Sequence, residues 1–142
     1  MADPYNLQRF VDAQDPVIDE VRSELRAGHK RTHWMWFVFP QLQALGRSAT
    51  ALHYGIRSLD EACAYMEHLL LGQRLIECTK LVCAVQSRSV HEIFGSPDDL
   101  KFHSSMTLFA LACPSEAFFV QTVQQYFGGT FDLRTKELLA EV

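Results

Sequence analysis

Apolar residues recur at every third or fourth position over most of the chain, which is the spacing of one face of an α-helix. Val17, Val21 and Leu25 form the first clear series. The pair Asp15-Pro16 before it is typical of a helix start, and Gly28 after it is typical of a helix end. This part of the chain is therefore predicted to form an amphipathic helix.

Further helix starts are indicated by a serine or aspartate placed before acidic residues or before an apolar series. These starts are Ser58-Leu59-Asp60-Glu61, Ser89-Val90-His91-Glu92, Ser96-Pro97-Asp98-Asp99 and Asp132. The helix that follows Ser58 either ends at Gly72 or continues as far as Val82. No segment alternates between apolar and polar residues as a half-buried strand does. We therefore expect an all-α fold, a compact multihelical single domain over residues 1–142 with about six to eight helices.

The stretch from Trp34 to Phe39 consists of six apolar residues in a row. A segment that is apolar on all sides cannot present one face to water, so it is expected to be enclosed. We interpret it as a buried Trp/Phe-rich central helix that ends before Pro40, with a buried strand as the alternative. Trp34, Phe37 and Val38 are the residues expected deepest in the core.

Composition places the chain among globular proteins. Of its 142 residues 48% are hydrophobic, and 10 Phe, 4 Tyr and 2 Trp are far more than a disordered chain carries. The net charge of −4 does not favour binding to nucleic acid or to an anionic membrane surface. The one basic run, His29-Lys30-Arg31, is interpreted as the solvated end of a helix.

The N-terminal sequence lacks the basic and apolar regions of a secretory signal, and no apolar run approaches the ~18 residues of a membrane span. We therefore expect a cytoplasmic protein that is a monomer or a weak homodimer. Its four cysteines form no C-x-x-C pair and lie among apolar residues, so they are expected to be reduced, buried thiols. His29 and His33 are four residues apart, but Gly28 disfavours a continuous helix there, and no metal or cofactor is expected.

Polar residues at the edges of the aromatic segment are the first candidates for a binding site. His33 and Gln41 flank it, and Trp36 lies within it. An aromatic wall with a few fixed polar groups suits a planar or ring-bearing small molecule. Lys101 and Ser105 share a helical face with Asp98 and are expected opposite. The ligand-binding candidates are His33, Trp36, Gln41, Lys101 and Ser105, for a small polar or nucleotide-like ligand.

The acids at the start of the same helix allow a catalytic alternative. Asp98 or Asp99 would act as the acid/base of a hydrolase or glycosidase, and Lys101 would stabilise an anion. Helix capping also explains both acids, without catalysis. A third alternative is a non-enzymatic module that binds another protein through an exposed apolar patch. Phosphate-binding loop motifs and metalloprotease motifs are absent from the sequence.

Several motifs, in order along nearly the whole chain, resemble those of one family. They are His33-Trp34-Met35-Trp36-Phe37-Val38-Phe39-Pro40-Gln41, Leu45-Gly46-Arg47-Ser48, Tyr54-Gly55-Ile56, Leu71-Gly72-Gln73-Arg74-Leu75, Phe94-Gly95-Ser96-Pro97-Asp98-Asp99-Leu100-Lys101 and Ser104-Ser105-Met106-Thr107-Leu108-Phe109. They resemble the domain of unknown function 1810 family, which is sometimes mislabelled calpastatin. The resemblance implies a compact multihelical domain of bacterial type with buried central helices. It implies no established activity, cofactor or catalytic residue.

The chain departs from the family pattern at two places. Where this chain has His68-Leu69, the family tends to have His-Pro. The second place is near His103, where the family tends to have a basic residue. Both departures leave the fold prediction unchanged. A looser similarity to enzymes that cleave N-glycosidic bonds of ADP-ribose suggests an ADP-ribose-like or nucleotide-like substrate for the catalytic alternative, although their diagnostic motif is absent.

Overall fold

A computed structural model describes residues 2–140, and within that range every regular element is helical. Ten α-helices follow one another, and a short 3-10 helix (Gln43–Leu45) precedes the fourth. In chain order they are α1 (Gln8–Gln14), α2 (Ile18–Arg26), α3 (Met35–Val38), α4 (Ala49–Tyr54), α5 (Leu59–Glu67), α6 (Leu69–Cys83), α7 (Val90–Phe94), α8 (Asp98–Ala112), α9 (Ala117–Phe127) and α10 (Leu133–Ala140). The all-α prediction is confirmed, but the number of helices exceeds the six to eight expected. None of the helices between residues 2 and 140 is long and apolar enough to cross a membrane.

The additional helices come from one unexpected break and from short helices without strong sequence signals. The helix predicted to start at Ser58 is two helices, because the chain turns at His68. The Nδ1 atom of His68 accepts the backbone N–H groups of Leu70 (3.3 Å) and Leu71 (3.2 Å), and so begins a new helix. Gly72 therefore lies inside α6, and no helix ends there. Neither α1 nor α4 belongs to a long apolar series, and both were missed.

Gly72 is required because α5 and α6 pack closely at this turn. A Cβ atom at position 72 would overlap the backbone carbonyl oxygen of Met66. We expect Gly72→Ala to lower the free energy of unfolding by about 2 kcal/mol, since backbone must move to make room. Urea unfolding followed by circular dichroism measures the change. Gln73→Ala, at the exposed neighbouring position of the same helix, is the control, and equal stability of the two variants would contradict this account.

Local caps form as predicted at several helix ends. Ser58 Oγ accepts the Glu61 N–H at 3.1 Å, and Ser89 and Glu92 make a complete capping box. Gly128 ends α9 in the left-handed conformation. Two predicted caps do not form: α2 begins at Ile18 and α8 at Asp98, both without a side-chain cap.

The aromatic segment is the centre of the core, but its helix is a single turn. Trp34, Met35, Val38 and Phe39 are buried, whereas Trp36 and Phe37 are half-buried. The prediction that Phe37 lies deep in the core is therefore wrong. The Phe39 ring contacts those of Phe94 and Phe102, with centroid distances of 5.9 and 5.0 Å, and these contacts join α3 to α7 and α8. One turn of helix is thus enough to hold Trp36 at the surface of a rigid cluster.

Candidate functional site

A shallow cleft lies where α3, α4 and the start of α8 meet. Its lining residues come from three separate parts of the chain: Met35, Trp36, Phe39, Gln41, Ala51, Tyr54, Gly55 and Lys101. The enclosed space is about 10 Å³, which is room for about one water molecule. A larger ligand would therefore have to lie across the mouth of the cleft.

The cleft contains polar groups that the protein itself leaves available. Between residues 2 and 140, no hydrogen-bond partner is found for the Trp36 indole N–H, the Gln41 side-chain amide or the Tyr54 hydroxyl, and all three residues are half-buried. The Lys101 ammonium lies 5.0 Å from the centre of the Trp36 ring. Residues that carry donors, an acceptor, a positive charge and an aromatic face thus line one small space.

Glu24 fixes the chain segment that leads into α3. Its Oε1 accepts the N–H of Arg31 (2.7 Å) and Thr32 (3.1 Å) and the indole N–H of Trp34 (3.0 Å). Its Oε2 accepts the Thr32 hydroxyl at 2.6 Å. Burial opposes ionisation, but these hydrogen bonds outweigh it and lower the pKa of Glu24. The buried carboxylate therefore stays charged and positions α3 with its tryptophan.

Asp98 lies between Lys101 and a second lysine, Lys30. Its two oxygens lie 2.8 Å from Lys30 Nζ and 3.8 Å from Lys101 Nζ. Lys30 is only 6% exposed, and its ammonium lies 5.0 Å from the centre of the Trp34 ring. The interpretation of Lys30 as part of a solvated helix end is therefore wrong, although His29 and Arg31 are exposed. One carboxylate holds two lysines, each beside a tryptophan.

The opposite wall of the cleft is built by an isolated parallel β-bridge between Leu42 and Ile56. The Ile56 N–H donates to the Gln41 carbonyl oxygen at 2.9 Å, and the Gln43 N–H donates to the Ile56 carbonyl oxygen at 2.8 Å. Gly55 fits here because a Cβ would collide with the Cα of Gln43. The bridge thus places Tyr54 and Gly55 beside Gln41.

The structure brings together three of the five residues predicted to bind a ligand. Trp36, Gln41 and Lys101 line the cleft. His33 does not: it is exposed, because Glu24 turns its neighbours on both sides inward. Ser105 does not line the cleft either: it is fully buried within α8, and its hydroxyl has no partner among the described residues.

Neither acidic candidate reaches the cleft. Asp98 is engaged by the two lysines. Asp99 accepts the Leu100 N–H at 2.9 Å through one oxygen, and its other oxygen lies 3.1 Å from His91 Nδ1. These contacts engage Asp98 in ion pairs, and Asp99 in a backbone hydrogen bond and a contact with His91, at the start of α8. Within residues 2–140, no three His, Cys, Asp or Glu side chains converge in a way that would hold a metal ion.

The other hydroxyls of α8 hold the turn before α10. Ser104 Oγ donates to the Leu100 carbonyl oxygen (3.1 Å) and to Asp132 Oδ2 (3.3 Å). Thr107 Oγ1 accepts the Asp132 N–H at 2.9 Å, and Asp132 in turn caps α10 through the Thr135 N–H at 3.1 Å. Their presence in an apolar helix is explained by these contacts.

Tyr54 lines the cleft with a polar group and is not among the residues predicted to bind a ligand. Its position depends on the bridge between residues far apart in the chain, which no local pattern predicts. The motif Tyr54-Gly55-Ile56 was a signal, since it is among the segments that resemble the family.

Comparisons with known proteins identify the family and leave the activity open. The model of a family described as a protein of unknown function (DUF1810) matches residues 4–139. A crystal structure of the conserved hypothetical protein Rv1873 from Mycobacterium tuberculosis is similar, with 61% sequence identity and a TM-score of 0.95, covering 97% of this chain and 99% of that chain. No curated protein matches the chain. From residue 4 to residue 139, this chain belongs to the DUF1810 family of proteins of unknown function.

Proposed function

We propose that the cleft binds a small anionic molecule that carries a planar ring, such as a nucleotide-like ligand. The observation that carries the proposal is the Lys101 ammonium beside the half-buried Trp36 indole, 5.0 Å from its ring centre, with unpartnered polar groups in the same cleft. An aromatic face stacks on a planar ring, and an ammonium attracts a phosphate or carboxylate. Together they recognise the two parts of such a ligand.

The remaining polar groups would orient the ring. The Gln41 side-chain amide both donates and accepts a hydrogen bond, so it can read one edge of a heterocycle. The Tyr54 hydroxyl, which lies beside Gln41, can also donate and accept a hydrogen bond. The enclosed space of about 10 Å³ takes only a ring edge or a water molecule. The ligand body would lie over Trp36 at the mouth, with its anionic group toward Lys101.

A binding function is favoured over the catalytic alternative by the placement of the acids. A general acid or base must reach the reacting atoms of the substrate. Asp98 and Asp99 lie outside the cleft and are engaged by Lys30, Lys101 and His91. The interaction-module alternative is not favoured either. Among residues 2–140, the large hydrophobic side chains that are exposed lie on five different helices: Leu52, Leu59, Leu69, Leu100 and Leu133.

A thermal-shift and calorimetry comparison of AMP, ADP-ribose and uncharged adenosine tests the proposal. We expect the two anionic ligands to raise the melting temperature and adenosine to have a smaller effect, because it lacks the group that pairs with Lys101. Trp36→Ala and Lys101→Ala should each weaken binding at least about tenfold, the size of one lost stacking or charge-assisted contact. Raising the salt concentration should weaken the binding of both anionic ligands.

Lys136→Ala is the matched control for Lys101, because Lys136 is an exposed lysine on α10 that does not line the cleft. It should bind as the unsubstituted protein does. Absence of any ligand-induced shift across the panel would overturn the proposal. If binding is unchanged in both the Trp36 and the Lys101 variant, the ligand binds elsewhere, and the proposal is overturned as well.

A further inference from the structure

Two cysteines meet where α5 packs against the C-terminal end of α8. The Cys63 thiol, on α5, donates to the backbone carbonyl oxygen of Ala112 at 3.1 Å. The next residue, Cys113, is the C-cap of α8. Because one peptide unit joins that carbonyl to the Cα of Cys113, Cys63 Sγ lies within about 6 Å of this Cα.

The two thiols also lie near each other, since Cys63 is among the groups that raise the pKa of Cys113. Each residue is half-buried, and both thiols are free. Disulfides form between cysteines whose Cα atoms are usually about 4.4–6.8 Å apart. The Cys63 thiol already contacts the residue that precedes Cys113, so the two side chains start on the same side of the interface between α5 and α8. The other two thiols are placed differently. Cys78 is fully buried, and Cys83 lies 3.4 Å from the hydroxyl of Thr122.

We propose that Cys63 and Cys113 form an oxidation site that takes a small disulfide, such as oxidised glutathione, as oxidant and closes an intramolecular disulfide. In the first step the Cys63 thiolate attacks one sulfur of the small disulfide. A Cys63 mixed disulfide forms and one small thiolate leaves. In the second step Cys113 loses its proton and attacks Cys63 Sγ, which releases the second small thiolate. The two cysteines lose two electrons, and the small disulfide gains them.

The order of the steps follows from the surroundings of Cys113. Burial, followed by the neighbouring Cys63, Glu67 and Glu116, raises the pKa of Cys113 to about 11. Its thiolate is therefore scarce near neutral pH, and it acts as the resolving thiol. Below pH 11 the thiolate fraction rises about tenfold per pH unit, so ring closure should accelerate in proportion.

The disulfide would join two helices that the hydrophobic core already brings together. Positions 63 and 113 are far apart in the chain, so the bond would restrict a long loop in the unfolded state. We expect the oxidised protein to melt about 5–10 °C above the reduced protein. Reduction with dithiothreitol should restore the lower melting temperature.

The folded protein offers a direct test, because trypsin places its four cysteines in four different peptides. Cys63 falls in residues 58–74 and Cys113 in residues 102–134, while Cys78 and Cys83 fall in residues 75–80 and 81–88. The native protein is incubated with oxidised glutathione at pH 7, 8 and 9, alkylated, digested and analysed by mass spectrometry. We expect the 58–74 and 102–134 peptides to become linked, at a rate that increases with pH.

Single variants separate the two steps. Cys113→Ser should stop at a glutathione adduct on Cys63, and Cys63→Ser should abolish the linkage, whereas Cys83→Ser should leave it intact. If a variant fails to fold, the linkage between the two peptides is measured in the unsubstituted protein, and that result alone tests the proposal. Adducts on Cys63 without linkage at any pH would overturn the proposal, as would a dominant linkage through Cys78 or Cys83.

Discussion

Replacing Glu24 by alanine is expected to lower the free energy of unfolding by about 3–5 kcal/mol, measured by urea unfolding. The carboxylate is 2% exposed and accepts four hydrogen bonds, including those from the Thr32 hydroxyl and the Trp34 indole. Its removal leaves these donors buried without partners. Glu20→Ala, at an exposed position of the same helix, should change the stability by less than about 0.5 kcal/mol.

The contribution of Glu24 should also depend on pH. Its hydrogen bonds lower the pKa in the folded state, below the ordinary value of about 4.3. A group with a lowered folded pKa stabilises the protein fully above its unfolded pKa and loses that effect as the pH falls through the folded pKa. The stability difference between the protein and Glu24→Gln should be constant above about pH 5 and shrink below about pH 4. A difference that is constant down to pH 3 would contradict this.

The second large effect is expected for Arg9→Met, which should lower the free energy of unfolding by about 3–5 kcal/mol. The reason is that the buried carboxylate of Glu61 loses its positively charged partner. The Arg9 and Glu61 side chains are 9% and 2% exposed and lie 2.8 Å apart. The guanidinium also donates to four backbone carbonyl oxygens: Tyr5, Asn6, His53 and Gly55. It therefore joins α1 to the end of α4 and the start of α5.

A double variant distinguishes the stranded charge from lost packing. If the uncompensated carboxylate causes the loss, Arg9→Met combined with Glu61→Met should be more stable than Arg9→Met alone. Arg26→Met, at the exposed end of α2, is the matched control and should be nearly neutral. A double variant no more stable than the single one would show that the carbonyl contacts dominate.

Features that depend on near neighbours were accessible from the sequence. The capping box at Ser89 and Glu92 and the end of α9 at Gly128 involve residues a few positions apart, so local patterns predict them. The break at His68 is also local, but it uses a histidine ring as the cap, which standard capping preferences do not include.

Features that depend on distant pairs were not accessible. Glu24 is an acidic residue beside the apolar series of α2, and the loop that folds back onto it is not evident from that series. Lys30 belongs to a basic run, yet it pairs with Asp98 far along the chain. Local sequence does not distinguish these two charged side chains from exposed ones, so only the fold reveals which charges are buried.

The same distinction applies to the candidate site. Trp36 and Gln41 were selected because an aromatic run with polar edges is a local pattern, and both line the cleft. His33 was selected by the same pattern, but its direction is set by Glu24, which holds the residues beside it. Tyr54 is placed in the cleft by the pairing of Leu42 with Ile56, which helical periodicity does not predict.

The backbone amides at the bridge between Leu42 and Ile56 can serve as probes of ligand binding in the cleft. Gln41 and Gly55 face the cleft, whereas Leu42, Gln43 and Ile56 line a groove shared with Leu138 and Leu139 of α10. The amide protons of Gln43 and Ile56 are hydrogen-bonded within this thin partition. Their nuclear magnetic resonance signals are therefore expected to shift when a molecule binds over Trp36.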